Sequence, residues 1–224
     1  VKCRVVWFSR TQVPPEGAFV KDGLIMFGRS DTPTPVCKVE DVYIPGPHNL
    51  ENALAATAAA ICAGVPAPVV RHTLRTFHGV EHRIETVRVL DGVKYINDSK
   101  GTNPDSTVKA VETMKEPTVI ILGGSEKNSD FGKMCEVIRR NPITYAVLIG
   151  KTGERIGEAL KAHGFTAFEY AGYDFEQAIR IARAHAVTGG NVLLSPACAS
   201  FDMFSDYEAR GREFKRIVNE LKEA

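Results

Sequence analysis

Apolar positions up to about residue 45 come in short runs. Lys2 to Phe8 is rich in valine, and Cys37 to Ile44 is a further run. Between them, Ala18-Phe19-Val20 and Leu24-Ile25-Met26-Phe27 flank Lys21-Asp22-Gly23. Runs of this kind read as strands, and Asp-Gly between two of them signals a hairpin. Pro45, Gly46 and Pro47 break the pattern,. From Asn49 onward, Leu50, Leu54, Thr57, Ala58 and Ile61 recur at three- and four-residue spacing. That period predicts a helix, closed by Gly64-Val65-Pro66. Pro68 to Phe77 reads as a second, shorter helix.

The polar stretch His78-Gly79-Val80-Glu81-His82-Arg83 marks a boundary, so the expected domains are 1–82 and 83–224. Beyond it, strand and helix patterns alternate. Strand candidates are 86–90, 93–97, 118–122, 144–149, 165–169 and 190–194; helix candidates are 104–115, 130–139, 152–162, 174–187 and 204–222. Asn103 is a good cap and Pro104 suits a first helical turn. In the last helix Phe214, Ile217, Val218 and Leu221 share one face,. Regular alternation predicts an α/β fold, a doubly wound parallel sheet over about 84–224.

Composition narrows the classes. With 44% hydrophobic and 25% charged residues, the chain has enough apolar surface to fold. The 28 basic and 27 acidic residues leave a net charge of +1, which gives no electrostatic footprint for nucleic acid or an anionic membrane. No run has the roughly 18 apolar residues of a membrane span. The start, VKCRVVWFSR, lacks a signal peptide's apolar core, lacks Met and begins inside a strand pattern,. A fragment of a longer protein is therefore expected. The five cysteines contain no CxxC pair, so neither a disulfide framework nor a zinc site is indicated, and a cytoplasmic setting is the simplest.

Polar residues cluster after three strand candidates: Asp98-Ser99-Lys100-Gly101-Thr102-Asn103, Gly123-Gly124-Ser125-Glu126-Lys127 and Ser195-Pro196-Ala197-Cys198-Ala199-Ser200. In a parallel sheet all three loops lie at the carboxyl edge, where ligands bind. Lys100, Lys127, the hydroxyls of Thr102, Ser125 and Ser200, and helix starts near Asn103 and Ser200 suit a ligand carrying carboxylates or phosphates. Asp98 can orient a lysine, bind magnesium, contact a sugar hydroxyl or simply occupy a turn. Asn49 and Asn52 lie one helical turn apart, so one can cap the helix while the other reaches a ligand. Arg83 reads either as a phosphate contact or as a solvated charge at the boundary. The other histidines, His48, His72, His78, His163 and His185, have no ligand spacing, and no metal ligand is assigned. Gly150-Lys151-Thr152 imitates the end of a P-loop, but the required earlier glycine is replaced by Tyr145,.

GPHNLENALAA, FHGVEHRIE, INDSKGTNPDST, LGGSEKNSDF and LLSPACASFDMFSDYEARGREF occur in that order. Their combination resembles the Mur ligases of bacterial cell-wall synthesis from about Val42 to the C-terminus. The resemblance implies that residues 1–82 are the C-terminal part of a P-loop-ATPase-like central domain. It implies that 83–224 are a Rossmann-like domain that receives an amino acid. It further implies ATP-dependent addition of D-glutamate to UDP-N-acetylmuramoyl-L-alanine through an acyl phosphate, by a monomeric enzyme. Asn49, Asn52, His82, Arg83, Asp98 and Lys100 would contact ATP; Thr102, Lys127, Ser200, Phe201 and Tyr207 would hold D-glutamate. The principal Mg2+ ligands and the P-loop would lie outside this chain, which is then inactive alone. Departures are Ser125 with Glu126, where relatives carry an aspartate, Gly101, where alanine is common, and Tyr207, which can stand for a phenylalanine. The DNPR motif of the diamino-acid-adding relatives is missing. The alternatives are a related ligase such as a folylpolyglutamate synthase, or a small-molecule binding module without catalysis.

Overall fold

A computed structural model describes residues 3–125 and 128–223. Two compact units divide the chain, Val1–His78 and Gly79–Ala224. The division falls four residues before the sequence boundary, because His82 packs inside the second unit.

The first unit is a four-stranded sheet in the order β1 (Trp7–Ser9), β2 (Glu16–Lys21), β3 (Leu24–Arg29), β4 (Thr34–Lys38). β1 runs parallel to β2, and the remaining pairs are antiparallel. Asp22 and Gly23 both take positive φ, as a two-residue hairpin matching the strand twist requires. Ala18, Ile25 and Val36 pack with Leu54 and Ala58 of α1 (Pro47–Cys62) and with Val70 of α2 (Ala67–Thr76). Two expected strands differ. β1 is only three residues long, and Cys3, Arg4 and Val5 ahead of it are exposed. The run read as Cys37–Ile44 is shifted to Thr34–Lys38, because Asp41 accepts the Lys38 amide at 3.3 Å and turns the chain into a 3-10 segment at Val39–Asp41.

The second unit is a six-stranded sheet in the order β5 (Glu85–Leu90), β6 (Val93–Asn97), β10 (Asn191–Leu194), β7 (Thr118–Gly123), β8 (Ile143–Ile149), β9 (Phe168–Gly172). All neighbours are parallel except β5 with β6. That pair is a hairpin through Asp91 and Gly92, both at positive φ. A connection of two residues cannot make a parallel crossover. One core lies on the face covered by α3 (Pro104–Thr113), α4 (Gly132–Arg140) and α5 (Gly153–Ala162). The other lies under α6 (Phe175–His185) and α7 (Tyr207–Glu220). Helices on both faces give the doubly wound, Rossmann-like architecture expected from the alternation.

Two boundaries need a physical reason. β9 starts at Phe168 rather than 165, because Phe165 is buried as a plug at the end of α5, where its amide bonds the Leu160 carbonyl at 2.9 Å. α7 starts at Tyr207 rather than 204, because Asp206 is its cap and accepts the Ala209 amide at 2.6 Å. Ser200 therefore begins no helix; it closes a turn in which the Phe204 amide bonds its carbonyl at 2.8 Å. Among the described residues no helix is long and apolar enough to cross a membrane.

Candidate functional site

β6, β10 and β7 are neighbours in the sheet, so the three polar loops read from the sequence leave adjacent strands at one carboxyl edge. This is where the strand order reverses, with β10 inserted between β6 and β7 after β9. Parallel α/β folds bind ligands at such a point.

The loop after β6 is held from within. Asp98 is only 4% exposed. Its Oδ2 accepts the Ser195 hydroxyl at 2.6 Å and its Oδ1 accepts the Ile84 amide at 3.2 Å. Burial nevertheless pushes the carboxyl up to about 7, against the lowering effect of those bonds,. A Cβ on Gly101 would sit 2.6 Å from Asp98 Oδ2 and 2.9 Å from Ser195 Oγ. Asp98 and Ser195 thus fill the space beside Gly101. Lys100 and Asn103 are exposed, and the Asn103 side chain caps α3 through the Ser106 amide at 2.9 Å. Thr102 is half-buried beside Lys100.

The loops after β7, β8 and β10 are tied together. Ser125 donates its amide to the Ala199 carbonyl at 2.9 Å, forming an isolated bridge. Thr152, the last residue of the false P-loop, accepts the Gly124 amide on Oγ1 at 3.1 Å and donates its own amide to the Gly124 carbonyl at 3.0 Å. Its role is to fix a neighbouring loop. Lys151 donates its amide to Asp202 at 2.8 Å. Lys127 and Glu126 lie outside the described residues.

Ser200 is 2% exposed, and its hydroxyl has no partner among the described residues. A buried hydroxyl without a bond is costly and points to a ligand or water that completes it. Next to it Phe201 is 75% exposed. Tyr207 is partly exposed, with the Lys100 ammonium 5.8 Å from its ring centroid.

One essential support was missed in the sequence. Arg210 of α7 is 1% exposed. Its guanidinium donates to Ser99 Oγ and Ser99 O, each at 2.9 Å, and to the Cys198 carbonyl at 3.1 Å. Burial lowers it to about 10, so it stays charged at neutral pH. Arg210 thereby joins the loops after β6 and β10. Its position four residues before Phe214, on the face buried by α7, was the available signal.

The boundary residues face different ways. His82 is 3% exposed and Arg83 is exposed. Glu81, His82 and Glu85 bring ligand atoms within 4.8 Å of one another. The Lys215 ammonium, however, sits 3.0 Å from Glu81 and 2.6 Å from Glu85, and it supplies the positive charge a metal would bring.

In the first unit, Asn49 and Asn52 do share one face of α1. Asn49 is not the cap, since the helix begins at Pro47 after Gly46. Its amide instead donates to the Pro45 carbonyl at 2.6 Å, and Asn52 donates to Asn49 at 3.5 Å. Asn52 is exposed.

Residues 82–198 match the family described as Mur ligase, glutamate ligase domain. The chain is 44% identical over 223 residues to the UDP-N-acetylmuramoylalanine–D-glutamate ligase of Thermoanaerobacter sp. (strain X514), covering 99% of this chain and 49% of that protein. It is 46% identical to the ligase of the same name from Pelotomaculum thermopropionicum, covering 99% of this chain and 48% of that one. The chain spans about half the length of the curated relatives it matches. Among solved structures, MurF from Acinetobacter baumannii superposes with a TM-score of 0.65 at 17% identity, over 93% of this chain and 46% of that one. Mycobacterium tuberculosis folylpolyglutamate synthase complexed with ADP gives 0.59 at 14%, over 92% and 47%. These distant structures share the fold. With the family match covering more than half of its length, the chain belongs to the Mur ligases and carries their glutamate ligase domain.

Proposed function

We propose that this chain is the C-terminal half of an ATP-dependent ligase that adds D-glutamate to UDP-N-acetylmuramoyl-L-alanine in peptidoglycan precursor synthesis. The longer protein acts as a cytoplasmic monomer, and this chain alone is inactive. Residues 1–82 are the end of its central ATP-binding domain, and 83–224 its amino-acid-binding domain.

The observation that carries the reading is the buried hydroxyl of Ser200, which has no partner among the described residues, at the carboxyl edge where the loop after β6 presents the exposed Lys100. A carboxylate accepts from a serine hydroxyl and pairs with an ammonium, and D-glutamate offers two carboxylates. Ser200, Thr102, Phe201, Tyr207 and Lys127 are the proposed holders of D-glutamate. Asn49 and Asn52 on the first unit, and His82, Arg83, Asp98 and Lys100 on the second, form the ATP-directed set. Of these, Asn52, Arg83 and Lys100 are exposed and available to a nucleotide, while Asn49, His82 and Asp98 are each buried within their own unit.

ATP supplies the phosphoryl group that activates the acceptor's carboxylate. The residues of this chain orient the incoming amine and offset charge as it attacks. Asp98, Glu81 and Glu85 are poor Mg2+ ligands, since both Asp98 oxygens accept hydrogen bonds and Lys215 neutralises Glu81 and Glu85. The principal Mg2+ ligands are assigned to the rest of the longer protein.

The test is an assay of that longer protein with ATP, UDP-N-acetylmuramoyl-L-alanine and either D- or L-glutamate. Product from the D form alone, abolished by Lys127→Ala, is the expected outcome. A protein that extends folates with L-glutamate instead is a folylpolyglutamate synthase. No ATP turnover with any acceptor would leave a binding module and refute the ligase reading.

A further inference from the structure

His82 is the residue on which the start of the second unit turns. Its backbone lies in the left-handed region at φ 65, and Ile84 follows at φ 48, a conformation that a β-branched residue rarely takes. Strained backbone persists only where its surroundings over-determine it. Here the His82 amide donates to Glu85 at 3.0 Å, the His82 carbonyl accepts the Lys100 amide at 3.0 Å, and the Ile84 amide donates to Asp98.

The His82 ring is fixed as closely as its backbone. A Cβ on Gly211, the one glycine of α7, would run into its Nδ1. On the other side lies Asn97, wholly buried. Its Oδ1 accepts the Ser99 amide at 3.1 Å. Its Nδ2 faces the Glu85 carboxylate at 3.2 Å and the Gly211 carbonyl at 3.3 Å. Turning the amide over would set nitrogen against an N–H and oxygen against two acceptors, so its orientation is settled. The same Nδ2 lies 2.9 Å from His82 Nδ1. An amide nitrogen only donates; its two hydrogens serve three acceptors here, and the contact to His82 is the shortest of them,. Nδ1 is therefore an acceptor, and the ring proton belongs on Nε2.

We propose that Asn97 and Gly211 are positioning residues that hold His82 as the Nε2–H tautomer against α7, keep its carbonyl on the Lys100 amide, and so set the loop that presents Lys100. The tautomer rests on this geometry alone; its consequence for ATP rests on the reading of Lys100 under the proposed function.

Long-range proton–nitrogen NMR on the labelled full chain, above neutral pH, reads the ring directly. The expected wild-type result is a bare Nδ1 and a protonated Nε2, and a proton on Nδ1 overturns the proposal with no variant needed. Asn97→Asp replaces the donor by an acceptor of the same size. It should draw a proton onto Nδ1 and speed exchange of the Lys100 amide about tenfold. In the longer ligase it should raise the ATP KM by about tenfold with a smaller change in kcat. Gly211→Ala, which displaces the ring sterically, should loosen the Lys100 amide as well. An unchanged ring and amide in Asn97→Asp, or a moved ring with an unmoved ATP KM, overturns the proposal. Failure of the ligase reading would show differently, as no ATP turnover in the wild-type enzyme, and the ring and amide signals would still decide the present point.

Discussion

Asp98 is a carboxyl kept in the fold at a cost that depends on pH. Folded, it holds its proton up to about pH 7; an ordinary aspartate releases it near 3.8. Between those values the folded state binds more protons than the unfolded one, so stability falls as pH rises through that window and levels off above it. The ceiling on the loss is about 4 kcal/mol. Asp98→Asn keeps an acceptor for the Ile84 amide and a partner for Ser195 but has nothing to titrate. Urea midpoints for wild type and variant should therefore draw apart between pH 4 and 7, with the wild type losing ground; a pH-independent difference would refute this. The sequence showed Asp98, Lys100, Ser200 and the loops that carry them, because polar residues just after apolar runs stand out. It did not show that Asp98 and His82 point inward. Asp98 is covered by Ser195, 97 residues on, and His82 by Asn97, 15 residues on, and by Gly211 of α7, and nothing local in the sequence shows these pairings. Arg210 was within reach, since it continues the apolar row of Phe214, Ile217 and Val218, but a charge at such a position reads as exposed unless its partners are known.

At the scale of elements, the carboxyl edge is built by close backbone approach. Gly123 ends β7 at φ 121, and a Cβ there would run into the carbonyl oxygen of Ile149 on β8. Backbone inside a parallel pair cannot step aside. Gly157 of α5 faces the Tyr170 hydroxyl of β9 just as tightly, but Tyr170 is 45% exposed and its ring can swing outward. Gly123→Ala should then cost about 3 kcal/mol or more and loosen the loop carrying Ser125, whereas Gly157→Ala should cost about 1 kcal/mol or less. Equal losses in thermal or urea unfolding would show that the two contacts are equally rigid. Most elements of the second unit were legible because largely apolar strands such as Thr118–Gly123 alternate with amphipathic helices. The misplaced ends share one cause, which is burial without period. Phe165 plugs the end of α5, and Met203 and Phe204 pack on the second core from a turn, so each imitates an element that is not there.

Over the whole chain, the two units differ in how much core they own. The first unit's cluster has seven buried residues under a four-stranded sheet, with Trp7 and Phe8 of its short first strand 56% and 50% exposed. The second has clusters of twenty and seventeen on the two faces of a six-stranded sheet. Small cores leave little surplus over conformational entropy, and units with separate cores open separately. Scanning calorimetry of the full chain should therefore show two transitions. Hydrogen exchange should assign the lower one to β2 and β3, while β7 and β10 stay protected until the upper. D-glutamate, if held by Ser200 and Lys127, should raise only the upper transition, because a ligand stabilises the unit that binds it. A single transition seen alike at β2 and β7 would mean that the first unit draws its stability from the second, and the division at His78 would then describe contacts and not folding units.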